Sequence, residues 1–143
     1  MDNATITDLG HDPVIGTHVL QDTHLDDISS SEVYLISELC QVTGSFKFRA
    51  AWHLVNQLDA VGFLAASSGN FGQALACAAK MKGRKSTIVM PDTSAKVKIN
   101  AVRSFGADVD LIDVKKIARD ERVLELSQML PDYYVCSAYD DQY

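Results

Sequence analysis

A chain of 143 residues suffices for one domain with a hydrophobic core, and 47% hydrophobic with 22% charged side chains is ordinary for a soluble globular protein. Lysine and arginine number 13 against 19 acidic residues, and the resulting charge of −6 argues against nucleic acid or an anionic membrane as partner. No run of roughly 18 apolar residues occurs, MDNATITDLGHD lacks the marks of a secretory signal, and Cys40, Cys77 and Cys136 have neither disulfide nor zinc spacing; a reducing, cytoplasmic setting without metal is expected.

Residues 1–32 carry few periodic apolar positions and end in DDISSS, so they read as a loosely structured arm with one short helix. Residues 33–36, VYLI, read as a short strand. Ser45 is placed to N-cap a helix reaching about Leu58, in which Ala50, Ala51, Leu54, Val55 and Leu58 share one face. The continuous apolar run at 61–66, VGFLAA, predicts a strand buried on both faces. Residues 71–82 form an alanine-rich helix closed by Gly83. A strand at 86–90 stops at Pro91, and a helix over 95–105 turns Lys96, Lys98 and Arg103 to water before Gly106. After a strand at 109–112, Asp113 is placed to cap a long charged helix to about Leu130; Pro131 breaks it, and 133–136 is the last strand. Strands and helices alternating at short intervals predict an α/β fold, a small open parallel sheet of about four strands with helices on both faces.

Ligands in such sheets bind beyond the carboxyl ends of strands, and ASSGNFGQA (residues 66–74) stands there. Small residues at Ser67, Ser68 and Gly69 admit a ligand to the backbone, and a helix start favours an anion such as a carboxylate. The plainer alternative is a tight turn in which Ser68 or Asn70 only caps the helix. The partial G-x-x-G-x-A match lacks the dinucleotide glycine spacing, and GSFK is not a phosphate-binding P-loop. In TGSFKFRAA (residues 43–51), Lys47 lies between Phe46 and Phe48. It is either an exposed helix start or an amine kept partly from water, and only a neutral amine attacks the carbonyl of an aldehyde cofactor.

Three blocks in order, VYLISELCQVTGSFKFRAA, SSGNFGQA and IVMPDTSAKVKINAVRSFGADV, resemble the pyridoxal-phosphate enzymes of the tryptophan-synthase β-type fold (fold-type II), in the threonine/serine dehydratase and serine racemase branch. The resemblance runs from about residue 33 to 138. It implies that Lys47 binds pyridoxal 5'-phosphate covalently and later takes the substrate's α-proton. Phe46 would lie against the pyridine ring and Asn70 would hydrogen-bond its phenolic oxygen. Ser67, Ser68, Gly69, Asn70 and Phe71 would hold the substrate carboxylate, and Ser68 would reprotonate the opposite face in a racemase. The implied reaction is β-elimination of a small hydroxy amino acid to a 2-oxo acid and ammonia.

The same resemblance implies an N-terminal half only. Residues 1–58 would belong with the family's large domain, 59–138 would be its small domain, and 139–143 a tail where the other half begins. Because the family's glycine-rich phosphate cradle lies in that half, the chain alone is expected to bind cofactor weakly or not at all and to be inactive. A complementing C-terminal chain or a second copy is the expected partner. Departures from the family pattern are Thr17-His18-Val19 for Thr-Pro-Leu, Ile36-Ser37-Glu38 where a lysine usually precedes the acid, Ala50 for glycine, and Phe71 for histidine. The first two, together with the missing half, support the alternative of a non-catalytic regulatory or interaction protein that retains the fold; an anion-binding module using the Ser68 loop is a third reading. His11, His18, His24 and His53 read as surface residues, Trp52 as core, Arg49 as a structural partner of Glu38, and 115–122 as a solvated helical face.

Overall fold

The most apolar run of the sequence becomes the middle of the sheet. The computed structural model describes residues 12–138, and among these β3 (Gly62–Ala66) is flanked by β4 (Lys85–Pro91) on one side and β6 (Tyr133–Cys136) on the other. β5 (Asp108–Ile112) lies beyond β4, giving the order β5-β4-β3-β6 with every pairing parallel. Phe63, Leu64 and Ala65 have no exposed surface, as a strand covered on both faces requires.

The two faces are covered unequally. α3 (Asn70–Met81) and α4 (Lys96–Ser104) pack on one, and α2 (Lys47–Gln57) packs on α3, so that Phe48, Leu54, Phe63, Leu75, Ile88 and Val102 share one core. α5 (Arg119–Met129) covers the other face with Val123 and Leu126 against Leu64, Val89 and Ile112. Alanines at 74, 76, 78 and 79 let α3 sit buried nearly all round. Gly83, at φ +64, ends the helix in a left-handed turn that a side chain would strain.

Three local expectations are corrected. The N-terminal arm holds a strand as well as a helix: β1 (His18–Gln21) pairs antiparallel with β2 (Tyr34–Ser37), joined by α1 (Thr23–Ser29). All four β1 residues are exposed, so no alternation of apolar and polar positions betrays it. Ser45 does not cap α2. Its buried hydroxyl has no hydrogen-bond partner, the cap position is Phe46, and the Phe48 and Arg49 amides donate instead to the carbonyls of Ser45 and Phe46. Asp113 caps a turn rather than the helix: its carboxylate accepts from the Lys115 amide and its carbonyl from Lys116 and Ile117, which delays α5 to Arg119.

Candidate functional site

Where β3 ends, the backbone turns through residues 67–69 into α3, and one buried hydroxyl organises the turn. The Ser67 amide donates to the Val89 carbonyl at 3.1 Å, fastening the loop to β4. Its Oγ accepts from the Gly72 amide at 2.9 Å and from Gly69 at 3.4 Å. Ser67 therefore satisfies the helix start from inside, and neither Ser68 nor Asn70 is spent as a cap. The cap position itself is Gly69, which brings no side-chain acceptor to the first turn, so the leading amides of α3 lack an intrahelical partner.

Lys47, at the first turn of α2, reaches the same place from the neighbouring helix. Its Nζ donates to the Ala138 carbonyl at 2.7 Å, just past the carboxyl end of β6. The nitrogen lies 5.2 Å from the Phe46 ring centre and 5.9 Å from that of Phe71. Phe71 is buried, whereas Phe46 is 58% exposed at the cleft mouth. A cleft of about 910 Å³ is lined by Phe46, Lys47, Ser67, Ser68, Gly69, Asn70 and Phe71, which places all seven sequence-predicted residues on one concavity. That volume suits a ligand the size of a cofactor with an amino acid.

Part of the lining was not anticipated. Lys98 and Arg119, from the first turns of α4 and α5, line the cleft together with Asp120. Both cations are exposed, as a solvated face predicts, yet they put positive charge on the cleft of a chain whose net charge is −6. Their signal in the sequence is position rather than motif, since each opens a helix that follows a strand's carboxyl end. His53 is exposed on α2 and is not part of the lining. Trp52 stacks on Phe48 with centroids 6.1 Å apart and carries Lys82 over its face at 4.8 Å, a packing role. His11 lies outside the described residues; among those described, no cluster of three His, Cys, Asp or Glu side chains is placed to hold a metal ion.

Beside the cleft, Arg49 pairs with Glu38 through Nε to Oε2 at 2.7 Å and Nη2 to Oε1 at 3.0 Å. The Arg49 guanidinium, and secondarily the Thr17 hydroxyl, holds the Glu38 carboxyl down at about 2 from an ordinary 4.5. A carboxylate whose folded value is depressed contributes stability that is complete above its unfolded value and is lost as the pH falls toward the folded one. The thermal midpoint is thus expected to fall between about pH 5 and pH 2.5, with a smaller fall in Glu38→Gln, measured by circular dichroism.

Residues 12–143 match the family model described as pyridoxal-phosphate dependent enzyme. The chain is 45% identical over 89 residues to the catabolic L-threonine dehydratase of Staphylococcus aureus (strain N315), covering 59% of this chain and 26% of that protein. It is 35% identical over 114 residues to serine racemase of Dictyostelium discoideum, covering 77% of this chain and 35% of that protein. The crystal structure of that racemase superposes with a TM-score of 0.79 at 32% identity, over 87% of this chain and 41% of that one. Processed threonine deaminase isoform 2 of Solanum lycopersicum gives 0.79 at 31% identity, over 90% and 36%. The chain thus spans between about a quarter and two fifths of the length of these relatives. A match over nearly the whole chain, joined to the shared parallel sheet, makes this a member of the pyridoxal-phosphate-dependent enzyme family of fold-type II, whose members bind pyridoxal phosphate.

Proposed function

We propose that this chain supplies the cofactor lysine and the substrate-carboxylate loop of a pyridoxal-phosphate-dependent lyase acting on a small hydroxy amino acid such as threonine or serine. The observation that carries the reading is the single cleft onto which the Lys47 amine and the turn at residues 67–71 both open. The lining fits the group. It offers a primary amine for an aldehyde and the rings of Phe46 and Phe71 for a flat heterocycle, and leaves the helix-start amides for the carboxylate of an amino-acid substrate. Lys98 and Arg119 add charge that suits an anionic ligand.

When bound, pyridoxal phosphate withdraws electrons from the substrate's α-carbon, which is chemistry no side chain here provides. The residues supply the rest. Lys47 would hold the cofactor through its nitrogen, and the same amine would be the base placed to accept the substrate's α-proton. The amides after Ser67, with Ser68 and Asn70, fix the substrate carboxylate so that the proton faces Lys47. The Ser68 hydroxyl donates a proton from the other side if the product is the inverted amino acid. Phe46 and Phe71 flank the amine and shed water from it.

In this reading residues 12–58 and 59–138 serve as parts of two domains, and the chain works together with polypeptide equivalent to the rest of its relatives. Val19 with Ile36 and Leu20 with Leu35, on the two faces of the β1–β2 hairpin, are 43 to 71% exposed, apolar pairs suited to burial against such a partner. The test is incubation of the purified chain with millimolar pyridoxal phosphate and L-threonine, alone and co-expressed with the remaining part of a relative. The expected result is a covalent adduct on Lys47 in both cases, weak in the chain alone and strong in the pair, with ammonia and 2-oxo acid released in equal amounts only by the pair. No adduct on Lys47 in either would overturn the reading.

A further inference from the structure

We infer that Arg49 is a positioning residue for Lys47, its guanidinium closing the loop that delivers the amine into the cleft. The inference rests on the proposed role of Lys47. The segment between β2 and α2, residues 38–46, has little hydrophobic anchorage: Leu39 is 78% and Val42 is 42% exposed. It turns at Gly44, φ +70, and the buried hydroxyls of Thr43 and Ser45 find no partner. Apolar packing of its own does not order this stretch. Polar ties do.

Arg49 makes four of them. Besides the forked pair with Glu38, its Nη2 lies 2.7 Å from both the Ile15 carbonyl oxygen and Thr17 Oγ1, its two hydrogens being shared among these acceptors and Glu38 Oε1. The Thr17 hydroxyl in turn donates to Glu38 Oε1 at 2.6 Å, so donor and acceptors form a closed set. Gln41, from inside the loop, adds a second tie by exchanging hydrogen bonds with the amide and carbonyl of Ile15, at 3.2 and 2.5 Å. One planar fork therefore joins three segments: the stretch leading into β1, the turn leaving β2, and the first turn of α2. Lys47 sits two residues before Arg49, so fixing Arg49 fixes the turn of helix from which Lys47 projects. Closing residues 38–49 at both ends removes the freedom the loop would otherwise keep. The same Lys47 nitrogen is then held where it meets the Ala138 carbonyl at 2.7 Å.

A measurement without cofactor separates this inference from the functional reading. The folded chain is treated briefly with an amine-acylating ester, and peptide masses give the ratio of modification at Lys47 to that at Lys80, whose Nζ contacts the Ser104 carbonyl far from the clamp. Arg49→Met and Glu38→Gln are each expected to raise the ratio about threefold, within what an exposed ion pair supplies. Arg49→Lys, which keeps the charge and loses the fork, should recover part of the effect. Arg84→Met, which removes the surface pair with Asp59, should leave the ratio unchanged. An unchanged ratio in Arg49→Met, or an equal rise in Arg84→Met, overturns the inference. If Arg49→Met does not fold, Glu38→Gln, of nearly the same shape, decides alone.

Discussion

Lys47→Ala is expected to abolish the covalent adduct with pyridoxal phosphate and to lower any β-elimination rate of the complemented protein by at least about 10²–10⁴-fold, the range a positioned acid or base contributes. The argument is geometric. The Lys47 nitrogen lies 5.2 and 5.9 Å from the Phe46 and Phe71 ring centres and is anchored on the Ala138 carbonyl at 2.7 Å. The other amine on the lining, Lys98, is exposed and enters from α4. Lys47→Arg sharpens the test because a guanidinium still donates hydrogen bonds and still carries charge, yet is no nucleophile toward an aldehyde. If charge alone mattered, the arginine variant would keep cofactor binding. If the amine matters, both variants fail alike, as read by mass on the peptide bearing residue 47. An adduct that moves to Lys98 in Lys47→Ala would assign the chemistry to that amine instead.

How much of this was legible in advance follows from where the driving force lies. The sheet was readable because β3 and the second half of β4 are buried on both faces and read as continuous apolar runs, leaving no alternation to misread. The β1–β2 hairpin was only half readable, because among the described residues nothing covers it and its pattern answers to no core. Helix starts were misplaced at Ser45 and Asp113 for a shared reason: both residues are capable caps, and the backbone begins its helix elsewhere. At the site, Lys47, Ser67, Ser68 and Asn70 came from motif and strand order, whereas Lys98 and Arg119 sit in stretches that read as ordinary solvated helix. Only the three-dimensional arrangement of two successive helix starts brings them to one cleft. The inner role of Ser67, a cap from within the loop, was likewise hidden, because Ser67 and Ser68 are indistinguishable as residue types.

The two glycines of the loop make opposite predictions, and together they separate the needs of the fold from those of a ligand. Gly72→Ala should destabilise the protein by about 1–3 kcal/mol, the usual penalty of an overpacked site. A Cβ there would stand 2.9 Å from the Ser67 carbonyl oxygen, 3.1 Å from Ile88 Cγ2 and 3.2 Å from Ser67 Cβ. Alanine's better helix propensity returns up to about 1 kcal/mol, which is not enough if the loop cannot yield. It cannot yield cheaply, because the Ser67 amide is bonded to β4 and its hydroxyl holds the Gly72 amide. The strain therefore falls on the turn that would bind the carboxylate, and cofactor or substrate affinity should drop along with the unfolding midpoint. At Gly69 a Cβ would meet nothing within 4 Å, and its φ of −130 is open to any residue. Gly69→Ala should accordingly fold with near wild-type stability in a denaturant titration. If it nevertheless loses binding of an amino-acid ligand, the space at Gly69 is kept for that ligand's close approach to the backbone; if Gly69→Ala binds normally, the carboxylate rests on Ser68 and Asn70 instead.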